Sequence, residues 1–269
     1  MYRLYIWTIR FILVFIVFSS SAYSQTVMGE LVFSSPHGFY VNNFTLTISN
    51  STAGATIKFT KDGSDPSTSL TAQSQPSPAA VNIDPTDTID RYKAPGVVIR
   101  ACAVKDGILL TTVIAQTYLF LDRVEELSPE GPKPGLGWPD SVTGIRFQRQ
   151  GIKYGLNATV LNDPRYQGKI KNSLLFIPTI SVVTDLKNLF DPDSGIYVNP
   201  LHREVSWERP TSIELLNPDG SPGFQINAGI RIRGGWGRTE NNYKHAFRFF
   251  FRKEYGEGKL KYPLFGDEE

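Results

Sequence analysis

Thr56-Ile-Lys-Phe-Thr-Lys-Asp-Gly-Ser-Asp-Pro66 holds a strand, a turn and a stop in eleven residues. Ile57 and Phe59 alternate with Thr56, Lys58 and Thr60, the period of a strand with one buried face. Asp62-Gly63 then supplies a positive-φ turn, and Asp65-Pro66 restricts the step that follows. Asp62, Gly63, Asp65 and Pro66 are read as a structural turn. Two carboxylates three residues apart also suit a calcium ion, but no further oxygen-rich side chains cluster nearby, and the turn is preferred.

The same pattern repeats outward from this stretch. Phe44-Thr-Leu-Thr-Ile48, Val97-Val-Ile-Arg-Ala-Cys-Ala-Val104 and residues 112–120 alternate or are rich in β-branched side chains. Turn clusters fall at 49–54, 61–67 and 105–107. Residues 71–85, dominated by Ser, Pro and Ala, read as a long loop. Several short strands with regular turns and no helical period predict a β-sandwich over 30–121. Residues 122–140 carry Pro129, Pro132, Pro134, Pro139 and three glycines, the composition of a linker. Residues 141–269 read as a second, β-rich α+β region. A helix is expected over 163–175, opened by Asp163-Pro164. Strands are expected at 177–183, 211–216, 224–233 and 245–251, a short helix at 185–190, and a tight connection at Asn217-Pro-Asp-Gly220.

Residues 1–24 have the layout of a secretory signal peptide: Arg3 and Arg10, the apolar run 11–18, then small residues with Ala22 and Ser24 at the −3 and −1 positions. The run is well short of the roughly 20 residues of a membrane span, and no later segment is long enough to be one. Loss of Arg3 and Arg10 brings the formal net charge of +2 to neutral, so nothing suggests a nucleic-acid binder. Cys102 is the single cysteine, which leaves an exported chain without an internal disulfide. His37, His202 and His245 lack metal-ligand spacing, and no metal site is expected. Glu208 and Glu214 are near enough in sequence to form a carboxylate pair, but Trp207-Glu-Arg-Pro210 reads as a structural block.

Phe33-Ser34, Gly38-Phe39-Tyr40, Leu46-Thr-Ile48, residues 55–66 and Ile99-Arg-Ala-Cys-Ala-Val-Lys-Asp-Gly107 together resemble the chitobiase/β-hexosaminidase C-terminal-type module, also described as the D-like domain of family 29 glycoside hydrolases. That resemblance covers about 30–120. It implies an immunoglobulin-like accessory sandwich without catalytic residues, for which carbohydrate or cell-surface contact is presumed. Phe39, Tyr40 and Tyr92 are the aromatic side chains available to stack on a sugar.

Ile177-Pro-Thr-Ile-Ser-Val-Val183, Gly195-Ile-Tyr-Val-Asn-Pro200, Trp207-Glu-Arg-Pro210 and residues 229–265 resemble the front of the CotH-type spore-coat kinase family, over about 137–269. Members are often exported and multi-modular. On this resemblance Arg233-Gly-Gly-Trp-Gly-Arg238 followed by Lys244 opens a nucleotide site: Gly234 and Gly235 let backbone N–H groups approach phosphate, Lys244 reaches it, and Arg233 and Arg238 flank it. Taken alone, the stretch is better read as a glycine-rich hairpin turn with exposed basic strand residues, and only the family resemblance brings the nucleotide-site reading level with it. The charge excess of Arg231, Arg233, Arg238, Lys244, Arg248, Arg252 and Lys253 over Glu240 and Glu254 favours an anionic partner.

The acidic catalytic set of such kinases follows the lysine in the family, in a region this chain lacks. The chain is therefore expected to be a truncated, non-catalytic N-terminal part of an exported CotH-like surface protein. No cofactor is expected in it, and ATP with Mg belongs to a full-length parent. The alternative is a non-enzymatic secreted or cell-surface module that binds an extracellular glycan or surface protein. The cut sheet is expected to leave apolar strand residues exposed between 246 and 251.

Overall fold

The computed structural model describes residues 29–89, 91, 94–127, 133–135, 137–144, 147–238 and 244–266. The signal segment, Tyr92, the middle of the linker and Glu240 lie outside the described residues.

The chain is mainly β. Nine strands build the first unit: β1 (Leu31–Phe33), β2 (Gly38–Phe39), β3 (Phe44–Asn50), β4 (Thr56–Thr60), β5 (Gln73–Pro76), β6 (Ala79–Ile83), β7 (Gly96–Lys105), β8 (Ile108–Leu109) and β9 (Ile114–Leu119). One sheet runs β1-β3-β6. The other runs β2-β9-β7-β4-β5, with β8 folded onto β7. Only β2 and β9 pair in parallel; the other ladders of this unit are antiparallel.

Both sheets face one core. Alternation puts Leu46 and Ile48 of β3, Val81 and Ile83 of β6, Ile57 and Phe59 of β4, and Val97, Ile99 and Ala101 of β7 into it. Leu46, Ile48, Ile57, Phe59, Ile83 and Ile99 are at most 1% exposed. Burying each such side chain contributes about 1.5–3 kcal/mol. Cys102 points away from this core and is still fully buried, because the outer face of its sheet is covered as well.

The loop expected over 71–85 instead holds two strands, β5 and β6, which carry the chain from one sheet to the other. Ala79, Val81 and Ile83 alternate with Ala80 and Asn82, and β6 pairs with β3 from Phe44↔Ile83 to Ile48↔Ala79. The polar β5 lies on a sheet edge, where Gln, Ser and Pro are tolerated.

The second unit contains the hairpin β10 (Ser141–Gly144) and β11 (Phe147–Gly151), three short helices, and four further strands. The helices are α1 (Ala158–Leu161), α2 (Ile170–Leu174) and α3 (Leu186–Phe190). The continuous helix expected over 163–175 is broken. Asn162 caps α1, Asp163 leads into a turn in which it accepts from Arg165 N, and Gly168 at φ +68° turns the chain before α2 begins. The antiparallel meander β12 (Thr179–Val183), β13 (Arg209–Leu216), β14 (Phe224–Arg233) and β15 (Ala246–Phe250) forms the main sheet.

β14 shows how this sheet is divided. Ile226, Ala228, Ile230 and Ile232 face one side and are buried against residues 189–207 and 249–260. Gln225, Asn227, Gly229, Arg231 and Arg233 face the other. On that polar side the first unit covers the end nearer Gln225. The Nδ2 of Asn227 donates to the carbonyl of Val113 at 2.9 Å. Glu214, directly opposite Gln225 on β13, is fully buried, and its hydrogen-bond partners are all in the first unit. Its Oε1 accepts from Thr117 N at 3.0 Å and lies 2.8 Å from His37 Nδ1; its Oε2 accepts from the Thr117 hydroxyl at 2.5 Å. The Asp62–Pro66 turn joins the same seam: Asp65 N donates to Asp185 Oδ1 at 2.9 Å, and Arg100 lies 3.8 Å from that oxygen. Among the described residues no helix is long and apolar enough to cross a membrane.

Candidate anion site

The uncovered end of the polar side begins at Gly229. A Cβ there would lie 2.4 Å from Glu208 Oε1, so the glycine leaves room for that carboxylate. Glu208 has a 1% exposed side chain held between two guanidiniums, Arg231 Nε at 3.3 Å and Arg252 Nε at 2.9 Å. Arg231, Arg248 and Arg252 all lie over the ring of Phe250, at 3.9, 5.1 and 5.2 Å from its centroid. Cation–π contact and ion pairing thus fix the floor of a pocket. Glu208 and Glu214 do not face each other; each is held by its own internal partners.

Two residues beyond Arg231, β14 ends at Arg233 and the chain turns. Gly234 adopts φ +105°, which favours glycine. A 3-10 turn, Trp236–Arg238, then carries Arg238 back beneath the strand end. Arg238 is 6% exposed and donates to the carbonyls of Gly234 (2.5 Å), Pro200 (2.5 Å), His202 (2.8 Å) and Ile232. It clamps backbone. Burial pushes its pKa down, and the positive charges of Arg203 and Arg231 push it further.

The resulting pocket has a volume of about 220 Å³ and is lined by Arg203, Arg231, Ile232, Arg233, Gly234, Arg238, Arg248 and Phe250. Arg203, Arg233 and Arg248 are exposed and are in no ion pair among the described residues. Of the residues singled out from sequence, Arg233, Gly234 and Arg238 line this pocket. Gly235 lies in the adjoining turn, with nothing near its Cβ position. Lys244 is exposed just before β15 and is not in the pocket wall. Arg203 and Phe250 had no motif to mark them, and Arg231 and Arg248 were named only within the local charge excess. Arg248 sits opposite Arg231 in the β14–β15 ladder, and that register is the signal that unites them.

The aromatic candidates in the first unit lie elsewhere. Phe39 is half-buried in β2. Tyr40 packs its ring on Phe44 at 4.5 Å and against Tyr118 at 5.6 Å, and its hydroxyl donates to Pro36 O at 2.6 Å. The Asp62–Pro66 turn satisfies its own carboxylates: Ser64 N and Oγ bind Asp62, and Ser67 N and Oγ bind Asp65. No group of three or more His, Cys, Asp or Glu side chains is placed to hold a metal among the described residues. His37 meets Glu214, His202 stacks on Trp207 at 3.9 Å, and His245 Nδ1 lies 2.8 Å from Gly237 O. Comparison with protein-family models, with curated proteins and with solved structures finds no match to this chain.

Proposed function

We propose that this chain is the exported sandwich-plus-entry region of a CotH-like surface protein. In this reading an immunoglobulin-like accessory sandwich, carried out of the cell by the 1–24 leader, is docked on a β-rich unit that binds the phosphate end of a nucleotide. The observation that carries it is the set of guanidiniums of Arg203, Arg233 and Arg248 around the Gly234 turn, which make no ion pair among the described residues. Arginine forks match phosphate oxygens two at a time, and charge-assisted bonds of this kind are the strong ones. The buried carboxylates of the main sheet, Glu208 and Glu214, both have internal partners. Among the described residues the pocket lining holds no carboxylate or histidine.

Displacement of a fluorescent ATP analogue tests this. ATP is expected to compete saturably with the unmodified chain, and Arg233→Ala/Arg248→Ala is expected to lose competition at least tenfold, each lost charge-assisted contact being worth about 1.5–3 kcal/mol. Absence of saturable competition, or competition unchanged in the double variant, refutes the reading.

A further inference from the structure

The arrangement around Gly234 constrains the ionic form of what binds there. A magnesium ion delivered with a phosphate ligand needs oxygen donors from the protein or from water. Among the described residues most of the oxygens at this corner are taken, and the exposed Glu204 carboxylate accepts from Arg203 N at 3.0 Å. Arg238 holds the carbonyls of Pro200, His202, Ile232 and Gly234. Arg231 Nη1 holds the carbonyl of Arg203 at 2.6 Å. Glu208, a buried carboxylate, is shared by Arg231 and Arg252. Five arginines line the pocket, and their combined charge repels a cation. Its 220 Å³ volume falls below the roughly 300–1,000 Å³ of pockets that enclose a whole drug-sized ligand. Only the small charged end of a ligand fits.

Building on the phosphate-binding reading above, we propose that this pocket takes a diphosphate-type oligoanion in its metal-free form, with Arg203, Arg233 and Arg248 standing in for the cation that usually accompanies such groups. Magnesium then competes with the protein for the anion. Two adjacent phosphoryl groups supply oxygens enough for three forks, and the Phe250 floor holds Arg231 and Arg248 at fixed height. Free pyrophosphate and the diphosphate end of a nucleotide present the same chemistry.

Calorimetric titration of the full chain with pyrophosphate and with ATP, each with and without excess magnesium, separates the outcomes. The expected result is binding that magnesium weakens about tenfold or more, a change of ~1.4 kcal/mol. Similar affinities for the two ligands support the proposal with free diphosphate as the source. Tighter ATP binding, still weakened by magnesium, supports it with a nucleotide as the source. Binding that magnesium strengthens or leaves unchanged overturns the metal-free site and leaves the phosphate-binding reading standing. No binding of either anion under either condition overturns both. Arg203→Ala, a change at an exposed side chain, is expected to weaken pyrophosphate binding several-fold, and Arg203→Lys to recover part of it. An Arg203→Ala variant that binds normally also overturns the assignment.

Discussion

Replacing Glu214 by alanine is expected to cost more stability than any other single change at the seam between the two units. The carboxylate is fully buried in the middle of β13, and its hydrogen-bond partners are Thr117 and His37. Its removal leaves Thr117 N without an acceptor in a buried setting, a loss of about 1–3 kcal/mol. The Thr117 hydroxyl keeps Ser181 Oγ at 2.7 Å, and His37, 15% exposed, recovers water. The orphaned amide therefore sets the scale of the loss, about 1–3 kcal/mol. Against a usual total of about 5–15 kcal/mol, that is a large share. Urea denaturation of the two proteins measures it through the midpoint. His37→Ala is expected to cost less, and the double variant less than the sum, because the two side chains touch. A Glu214→Ala loss below about 1 kcal/mol refutes the argument that the seam is latched by this carboxylate.

Four smaller predictions follow from the same geometry. Gly229→Ala drives a methyl group into Glu208, which Arg231 and Arg252 prevent from moving; a loss of about 1–3 kcal/mol is expected in thermal melts, and an unchanged melt contradicts the packing. Burial pushes the Cys102 thiol up to about 11, so roughly one part in a thousand is thiolate at pH 8. Thiol reagents should label the native chain very slowly and the urea-unfolded chain at once, and fast native labelling refutes the burial. Burial raises the Asp62 carboxyl, but bonds from Ser64 and Thr71 outweigh it and hold the group below its ordinary 3.8. Its folded pKa being the lower, its contribution is present above that ordinary value and lost as pH falls below it. The stability gap between the native chain and Asp62→Asn should therefore shrink from pH 7 to acid, and a gap that widens refutes the sign. Tyr255, pushed up to about 12 first by burial and then by the negative charge of Glu208, should titrate well above ordinary tyrosines, and Glu208→Gln should bring it down.

The strands were the legible part of this chain. β4, β7 and β14 follow directly from alternation, because a strand with one buried face must alternate whatever its partners. β6 carried the same signal in Ala79, Val81 and Ile83, but small side chains and flanking prolines hid it. The 163–175 helix failed for the opposite reason. Its start signal was sound locally, yet Gly168 at positive φ and a lack of buried contacts left only short turns of helix. The pocket was half legible. Arg233, Gly234 and Arg238 stand in one motif, whereas Arg203 and Arg248 reach them only through chain reversal and strand register. Arg238 has the composition of an anion ligand, but its donors are spent on carbonyls, and that is decided by where residues 200–202 run. The Glu214 latch was illegible: its partners are 97 and 177 residues away, and a glutamate in a strand otherwise reads as a solvent-facing residue.

The most direct test of the phosphate-binding pocket is the thermal stability of the chain with and without ATP, compared with Arg233→Ala/Arg248→Ala. A ligand that binds only the folded state adds about 2.7 kcal/mol at a hundred times its Kd. The account predicts a clear rise in Tm for the unmodified chain and little or none for the double variant. No rise in either, or the same rise in both, contradicts it.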